Sequence, residues 1–385
     1  MILYLKNGGT ISPDCSDYDK ISFAEKYAVC GDVIQAIIAY IIMTDENPFS
    51  LSLERSEGRG TAEEFAKKDI EELRLKFFAD HKEFASYKPI KTDLVGEDKR
   101  ISKMIEKFTL ELKKCKDSNS FFLQVKSFYK DNGVGSFGIN KAFYMLDSGE
   151  LVPVSHLRDA TFEDIYGYAS QKQLLMANTA AFARGEAANN VLLYGDSGTG
   201  KSTSVKAALN EFFADGIRMI QIQKHQFVHL SILTEQLKRR NYRFILYMDD
   251  LSFEDFEVEY KYLKAAIEGG LEEKPENVLI YATSNRRHLI KETFSEREGA
   301  DDIHRNESIQ EKISLSDRFG LSIFYPKPNQ ADYFDIVLHL AERTGLVFDK
   351  DMLIAEARKW AVKHGGFSGR VATQFIAQFK ISNLV

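Results

Sequence analysis

The sequence predicts an α/β fold: a five-stranded parallel sheet around a phosphate-binding loop, followed by a small helical subdomain and preceded by a mostly α-helical region. Three observations lead there. From Asn190 onward, short apolar runs alternate with helix-like segments, the pattern of a buried parallel sheet covered by helices. Residues Gly195-Asp196-Ser197-Gly198-Thr199-Gly200-Lys201-Ser202 read G-x-x-x-x-G-K-S without a mismatch, between a strand-like run and an amphipathic helix. After Pro326 and Pro328 the strand pattern stops and only helical periodicity remains.

In the first 150 residues, helical spacing is clearest from Thr61 to Tyr87, where Phe65, Ile70, Leu73, Phe77 and Phe78 recur. It returns from Lys99 to Lys116, with Ile101, Ile105, Phe108 and Leu112, and again from Ser118 to Tyr129. The apolar run Ala36 to Met43 is far short of a membrane span and reads as part of a buried helix. Gly133-Val134-Gly135-Ser136-Phe137-Gly138 has G-x-G-x-x-G spacing but follows a helix end, Lys130-Asp131-Asn132, instead of a strand. It also lacks an acidic residue in a second strand about 20 residues later, so it predicts a turn into the next domain and not a dinucleotide site.

Five strands are expected: Asn190–Tyr194, Ile217–Ile222, Phe244–Met248, Val278–Ala282 and Leu321–Tyr325, with helices between them such as Glu259 to Gly269. Three helices close the chain, Asp332–Arg343, Lys350–Lys363 and Arg370–Ile381, with Gly345 and Gly365 as C-caps. The expected division is a helical N-terminal domain over 1–150, an α/β nucleotide-binding core over 151–328 and a helical lid over 329–385.

Composition narrows the class. There are 51 Lys and Arg against 57 Asp and Glu, an acidic excess shared by both ends, so no broad basic face for nucleic acid is visible. The one dense basic run is Lys238-Arg239-Arg240 with Arg243, at a helix end where cations are expected anyway; nucleic-acid binding is neither supported nor excluded. Cys15, Cys30 and Cys115 are too scattered for a disulfide framework or a zinc site. The start of the chain lacks the pattern of a signal peptide, which gives a cytoplasmic expectation with no membrane partner. His225 and His229 are four apart, but the histidines show no ligand spacing and read as structural.

The chemistry centres on the loop. Its glycines let successive backbone N–H groups point at one spot, where the following helix adds partial positive charge. Lys201 reaches the β- and γ-phosphates of a nucleotide and Ser202 offers its hydroxyl to Mg²⁺, with Thr203 next on the helix. Asp249 and Asp250 end an apolar strand beside the loop; Asp249 is placed to hold Mg²⁺ through water. Asp250 is the candidate to polarise the attacking water or to tune the metal site, with Glu254 and Asp255 as further candidates.

These residues resemble the AAA+ ATPase superfamily: the loop, the Asp249-Asp250 pair, a polar residue ending the fourth strand, an arginine before the fifth, and a helical lid. The finer pattern resembles the bacterial ATPase family catalogued as domain of unknown function 815. It comprises Gly167-Tyr168, Gln171-Lys172, Asn189-Asn190 with Val191 to Gly195, Asp249-Asp250-Leu251-Ser252-Phe253, Thr283-Ser284-Asn285-Arg286-Arg287-His288, and Lys312 to Gly320. The resemblance covers Phe162 to Phe379 most strongly. It implies that Asn285 is a sensor of the γ-phosphate and that Arg318 is an arginine finger offered to a neighbouring protomer's ATP, a device that contributes roughly 10³–10⁵ in rate. A surface ion pair of Arg318 with Asp317 or Glu311 is the plainer alternative. Arg370, opening the last helix against the sense of the helix dipole, matches a second γ-phosphate sensor. Tyr168, with Ile165, Tyr166 and Gly167, falls where such proteins contact adenine.

The implied activity is hydrolysis of Mg·ATP to ADP and phosphate in a ring or partial ring, acting on a protein or nucleoprotein partner. The alternative is a slow-hydrolysing ATP switch or loader, for which the short Asp250 argues. A small-molecule P-loop kinase does not explain Asn285, Arg318, Arg370 and the lid together.

Overall fold

The structure, a computed structural model, describes residues 13–55, 61–90, 92–157, 159–253, 258–268, 275–285 and 318–382. Two compact units are present. One comprises Met1–Phe143, Pro153–Arg158 and Arg239–Tyr242; the other comprises Tyr144–Val152, Asp159–Lys238 and Arg243–Val385.

The first unit is helical: α1 (Asp17–Lys26), α2 (Val33–Thr44), α3 (Pro48–Glu54), α4 (Ala62–Phe77), α5 (Gly96–Lys113), α6 (Ser118–Asn132) and α7 (Gly135–Ile139). Helix α2 is apolar almost all round and is buried almost all round, so it forms the centre of this unit. Asp32 caps it by accepting from the Gln35 N–H at 3.0 Å. In α4 the buried stripe runs through Ala66, Ile70 and Phe77, with Leu73 packed against it. Phe65 and Phe78, expected on the apolar face, are 66% and 44% exposed. Ala66 completes the i, i+4, i+7, i+11 ridge and turns its neighbour Phe65 outward.

The G-x-G-x-x-G segment is a turn with no strand before it. Gly133 (φ 72°) ends α6 and Gly135 (φ 74°) opens α7. A Cβ on Gly133 would collide with the Tyr242 hydroxyl, and one on Gly135 with the Glu46 carboxylate, so close approach demands both glycines. Arg240 holds the turn: it donates to the Val134 carbonyl at 2.9 Å, to Glu54 at 2.8 Å through Nε and Nη2, and to Glu46 at 2.8 Å. The most prominent arginine of the basic run is thus 10% exposed and engaged by carboxylates.

The second unit carries a sheet. A hairpin of β1 (Ala142–Met145) and β2 (Leu151–Pro153) precedes α8 (Ala169–Ala183), β3 (Val191–Gly195), α9 (Lys201–Phe212), β4 (Ile217–Gln221), α10 (Leu230–Lys238), β5 (Arg243–Met248), α11 (Glu259–Glu268), β6 (Val278–Ser284) and β7 (Leu321–Tyr325). The strand order is β2-β1-β4-β5-β6-β3-β7. The strands β4, β5, β6, β3 and β7 run parallel to one another and are the five expected ones, within a residue or two. The hairpin was not expected and widens the sheet to seven strands. Its turn closes through the Leu146 N–H on the Glu150 carbonyl at 2.8 Å, with Gly149 at φ 85°. His225 and His229 bond Asp147 in that turn, at 2.8 and 3.1 Å, which agrees with a structural reading of both.

The chain ends in α12 (Gln330–Arg343), α13 (Lys350–Lys363) and α14 (Gly369–Ser382). They enclose a small core of their own around Tyr333, Val337, Leu353, Ala357 and Phe375. The architecture is an α/β one: a five-stranded parallel core, widened by the hairpin, with C-terminal helices, preceded in the chain by a mostly helical region. No helix among the described residues is long and apolar enough to cross a membrane.

Candidate nucleotide site

Strand β3 ends at Gly195, whose φ of 136° and contact with β7 leave no room for a side chain: a Cβ there would strike the Tyr325 carbonyl. The chain then curls through Gly198 (φ 77°) and Gly200 (φ 96°) into α9. Among the described residues, the backbone N–H groups from Ser197 through Thr203 make no hydrogen bond to protein atoms. Backbone donors beside buried residues such as Thr199 and Lys201 are normally paired, so this run is a cradle for an anion. The Thr199 hydroxyl braces the curl by donating to the Asp196 carbonyl at 2.9 Å.

Lys201 is 6% exposed and donates to the Gly195 and Asp196 carbonyls at 2.7 Å each and to Asn285 Oδ1 at 3.1 Å. Burial lowers its pKa, opposed by Asp250, Asp196 and Asp249; Arg370 adds to the lowering. Lys201 therefore feels both the aspartates and the arginine expected around it.

Asp249 Oδ1 accepts the Ser202 hydroxyl at 2.7 Å and the Thr283 hydroxyl at 2.6 Å. Burial pushes the Asp249 carboxyl up, but the hydroxyls of Thr283, Tyr247 and Ser202 outweigh it and hold the pKa below the ordinary value. Asp250 sits in the left-handed region at φ 53°. Its N–H donates to Thr283 Oγ1 at 2.9 Å, and its carboxylate accepts from Asn285 Nδ2 at 2.7 Å. A continuous chain thus runs from Ser202 through Asp249, Thr283, Asp250 and Asn285 to Lys201. The sequence places Thr283 in the DUF815-like pattern but gives it no role; the β5–β6 register, which sets Met248 opposite Ala282, is what puts it beside Asp249.

The lid helix α14 meets the loop. The Arg370 N–H donates to the Gly198 carbonyl at 3.3 Å, and a Cβ on Gly198 would lie 3.0 Å from Arg370 Cβ. On the approach to the core, a Cβ on Gly200 would lie 3.2 Å from Ile165 Cγ2. The Tyr166 ring stands 5.1 Å from His339 on α12. Tyr168 is turned toward the end of β7: its hydroxyl donates to the Pro326 carbonyl at 2.8 Å and its ring lies 5.1 Å from Tyr325, with burial pushing its pKa up to about 12. Arg318 stands immediately before β7, half-buried. Because Val191 pairs with Leu321 and Gly195 with Tyr325, Arg318 lies at the end of the sheet opposite the loop. Glu254, Asp255, Arg286, Arg287, Glu311 and Asp317 lie outside the described residues. A cavity of 370 Å³ adjoins the loop, lined by Tyr194, Gly195, Asp196, Asn285 and Phe324.

The donors fit a magnesium nucleotide. Ser202 and Asp249 offer hard oxygen ligands side by side, and the unpaired N–H run faces the place a phosphate would take.

Residues 139–383 match the family described as "Protein of unknown function (DUF815)", well over half of the chain. The chain belongs to this family. The DUF815 match spans the hairpin, the P-loop core and the lid together. No curated protein sequence matches the chain. Among solved structures it is similar to the Thermotoga maritima RuvB Holliday junction branch migration motor, at 16% identity over 57% of this chain and 72% of that one, with a TM-score of 0.35. Two single-substitution forms of the same RuvB align over the same shares, at 16% and 15% identity and TM-scores of 0.35.

Proposed function

We propose that this DUF815 chain binds Mg·ATP and hydrolyses it to ADP and phosphate, in an oligomer that acts on a protein or nucleoprotein partner. The observation that carries the reading is the run of unpaired N–H groups from Ser197 to Thr203, flanked by the Lys201 ammonium and by the Ser202–Asp249 pair. In this reading the N–H run and Lys201 take the phosphates, and Lys201 exchanges its carbonyl partners for phosphate oxygens. Ser202 and Asp249 hold Mg²⁺, which when bound neutralises charge on the transferring phosphoryl group. Asn285 and Arg370 attend the γ-phosphate, and Asp250 orients the attacking water. Ile165, Tyr166 and Tyr168 stand on the base side. Arg318 acts on a neighbour's ATP.

A slow switch is the second reading. The Asp250 carboxylate is already engaged by Asn285 at 2.7 Å, and Asn285 is engaged by Lys201, so freeing Asp250 to meet water requires breaking a closed network. Turnover well below ~1 s⁻¹ in the assembled protein, with a partner held only in ATP, distinguishes it from a working motor.

The test is equilibrium binding of a fluorescent ATP analogue to the full chain and to Lys201→Ala. Wild type is expected to bind with Mg²⁺-dependent affinity and the variant to lose binding while still folding. Absence of nucleotide binding by the wild type overturns the proposal.

A further inference from the structure

Among the described residues, the Tyr247 hydroxyl is one of very few buried side-chain polar atoms without a hydrogen-bond partner. Tyr247 is 2% exposed and lies on β5, two residues before Asp249, so both side chains leave the same face of the strand. Asp249, Ser202 and Thr283 stand near this hydroxyl as hydrogen-bonding neighbours, and it helps hold the Asp249 carboxyl down, yet none meets it within full hydrogen-bonding distance and angle. The Asp249 oxygen Oδ1 is already taken by Ser202 and Thr283, at 2.7 and 2.6 Å. A buried hydroxyl left unpaired costs free energy that a phenylalanine ring at the same position would not.

Resting on the reading that Ser202 and Asp249 hold the ion, we propose that Tyr247 is a positioning residue for Mg²⁺: its hydroxyl pairs with the Asp249 carboxylate only when that carboxylate turns to hold the ion's water. The hydroxyl then joins Thr283 in fixing the orientation of Asp249, the role that hydrogen-bonded partners play around metal ligands generally.

The experiment compares full-length wild type with Tyr247→Phe in three measurements. They are the melting temperature without nucleotide, the affinity for a fluorescent ATP analogue in EDTA, and the Mg²⁺ concentration that half-maximally tightens that analogue. The variant is expected to melt at or slightly above wild type and to bind the metal-free analogue equally. It is expected to need about tenfold more Mg²⁺. A superimposable Mg²⁺ titration, or a lower melting temperature of the free variant, overturns the inference; the latter would mean that the hydroxyl serves the free fold. If wild type shows no Mg²⁺-dependent tightening, the Mg·ATP reading fails with it. Tightening in wild type with an unchanged variant overturns this inference alone.

Discussion

Thr283 ties the two aspartates to each other. Its hydroxyl donates to Asp249 and accepts from the Asp250 N–H, while its own carbonyl takes the Leu251 N–H at 2.7 Å. Those bonds pin the turn that holds Asp250 in a left-handed conformation which an aspartate tolerates better than a β-branched residue would. Thr283→Val keeps the shape and removes the hydroxyl, leaving Asp249 with one donor fewer and the Asp250 N–H unpaired. Hydrogen bonds to charged groups are worth about 1.5–3 kcal/mol, so the variant is expected to lose about 2 kcal/mol in urea unfolding. Nucleotide should stabilise it less than wild type. At this scale the sequence was explicit about residues carrying a motif, Lys201, Ser202 and Asp249, and silent about their supports. Tyr247 lies within an expected strand and Thr283 just past one, named only in the family-like pattern, and the register and facing of β5 and β6 reveal what they touch.

Elements with a strong period were legible and those with a mixed one were not. The five core strands and the lid helices come from apolar runs and clean helical spacing. The β1–β2 hairpin is too short to register as a pattern, and α8 carries small and polar residues with no clear apolar face. The basic run after α10 was legible as charge but not as structure, since its reading depends on Glu54 and Glu46, far away in sequence. Burial opposes the Arg240 charge, but Glu54 and then Glu46 more than offset it and push its pKa above the ordinary value. Removing the arginine leaves Glu54, whose side chain is 2% exposed, as a buried uncompensated carboxylate. Arg240→Ala is therefore expected to cost about 3–5 kcal/mol, and Arg240→Met with Glu54→Leu distinctly less, both measured by chemical denaturation. The lid is tied more lightly. Asp164 pairs with Arg343 of α12 at 2.7 Å; burial pushes its carboxyl up, but the Thr161 N–H and Arg343 outweigh it and hold its pKa below the ordinary 3.8. A depressed carboxylate contributes its stability fully above pH 3.8 and loses it as pH falls through the lower folded value. The stability difference between wild type and Asp164→Asn should be level near neutrality and shrink only below that point. Because Arg343 is 39% exposed, the difference should stay under about 1 kcal/mol.

At the scale of the whole molecule, the placement of Arg318 bears on whether one chain suffices. In a parallel pair both strands run the same way, and the β3–β7 register sets Val191 beside Leu321 and Gly195 beside Tyr325. Arg318 enters before Leu321, and the loop begins where β3 ends, so the two are separated by roughly 13 Å of strand, in addition to the residues between Arg318 and β7. An arginine side chain extended the length of the strand would have to run along the sheet to reach its own Lys201. Arg370, by contrast, touches Gly198 directly. If Arg318 stabilises transition-state charge, it does so on another copy, and activity becomes a property of assembly. Lys201→Ala keeps the finger but lacks the phosphate grip, whereas Arg318→Ala keeps the grip but lacks the finger. Each alone should hydrolyse ATP at least about 10³-fold more slowly than wild type if the finger is rate-determining. Mixed together, they should recover activity, since some interfaces join an intact grip to an intact finger. Wild-type activity per protomer should also rise with protein concentration until the assembly saturates. A mixture no more active than its components, together with concentration-independent turnover of wild type, would show that the arginine does not act across an interface.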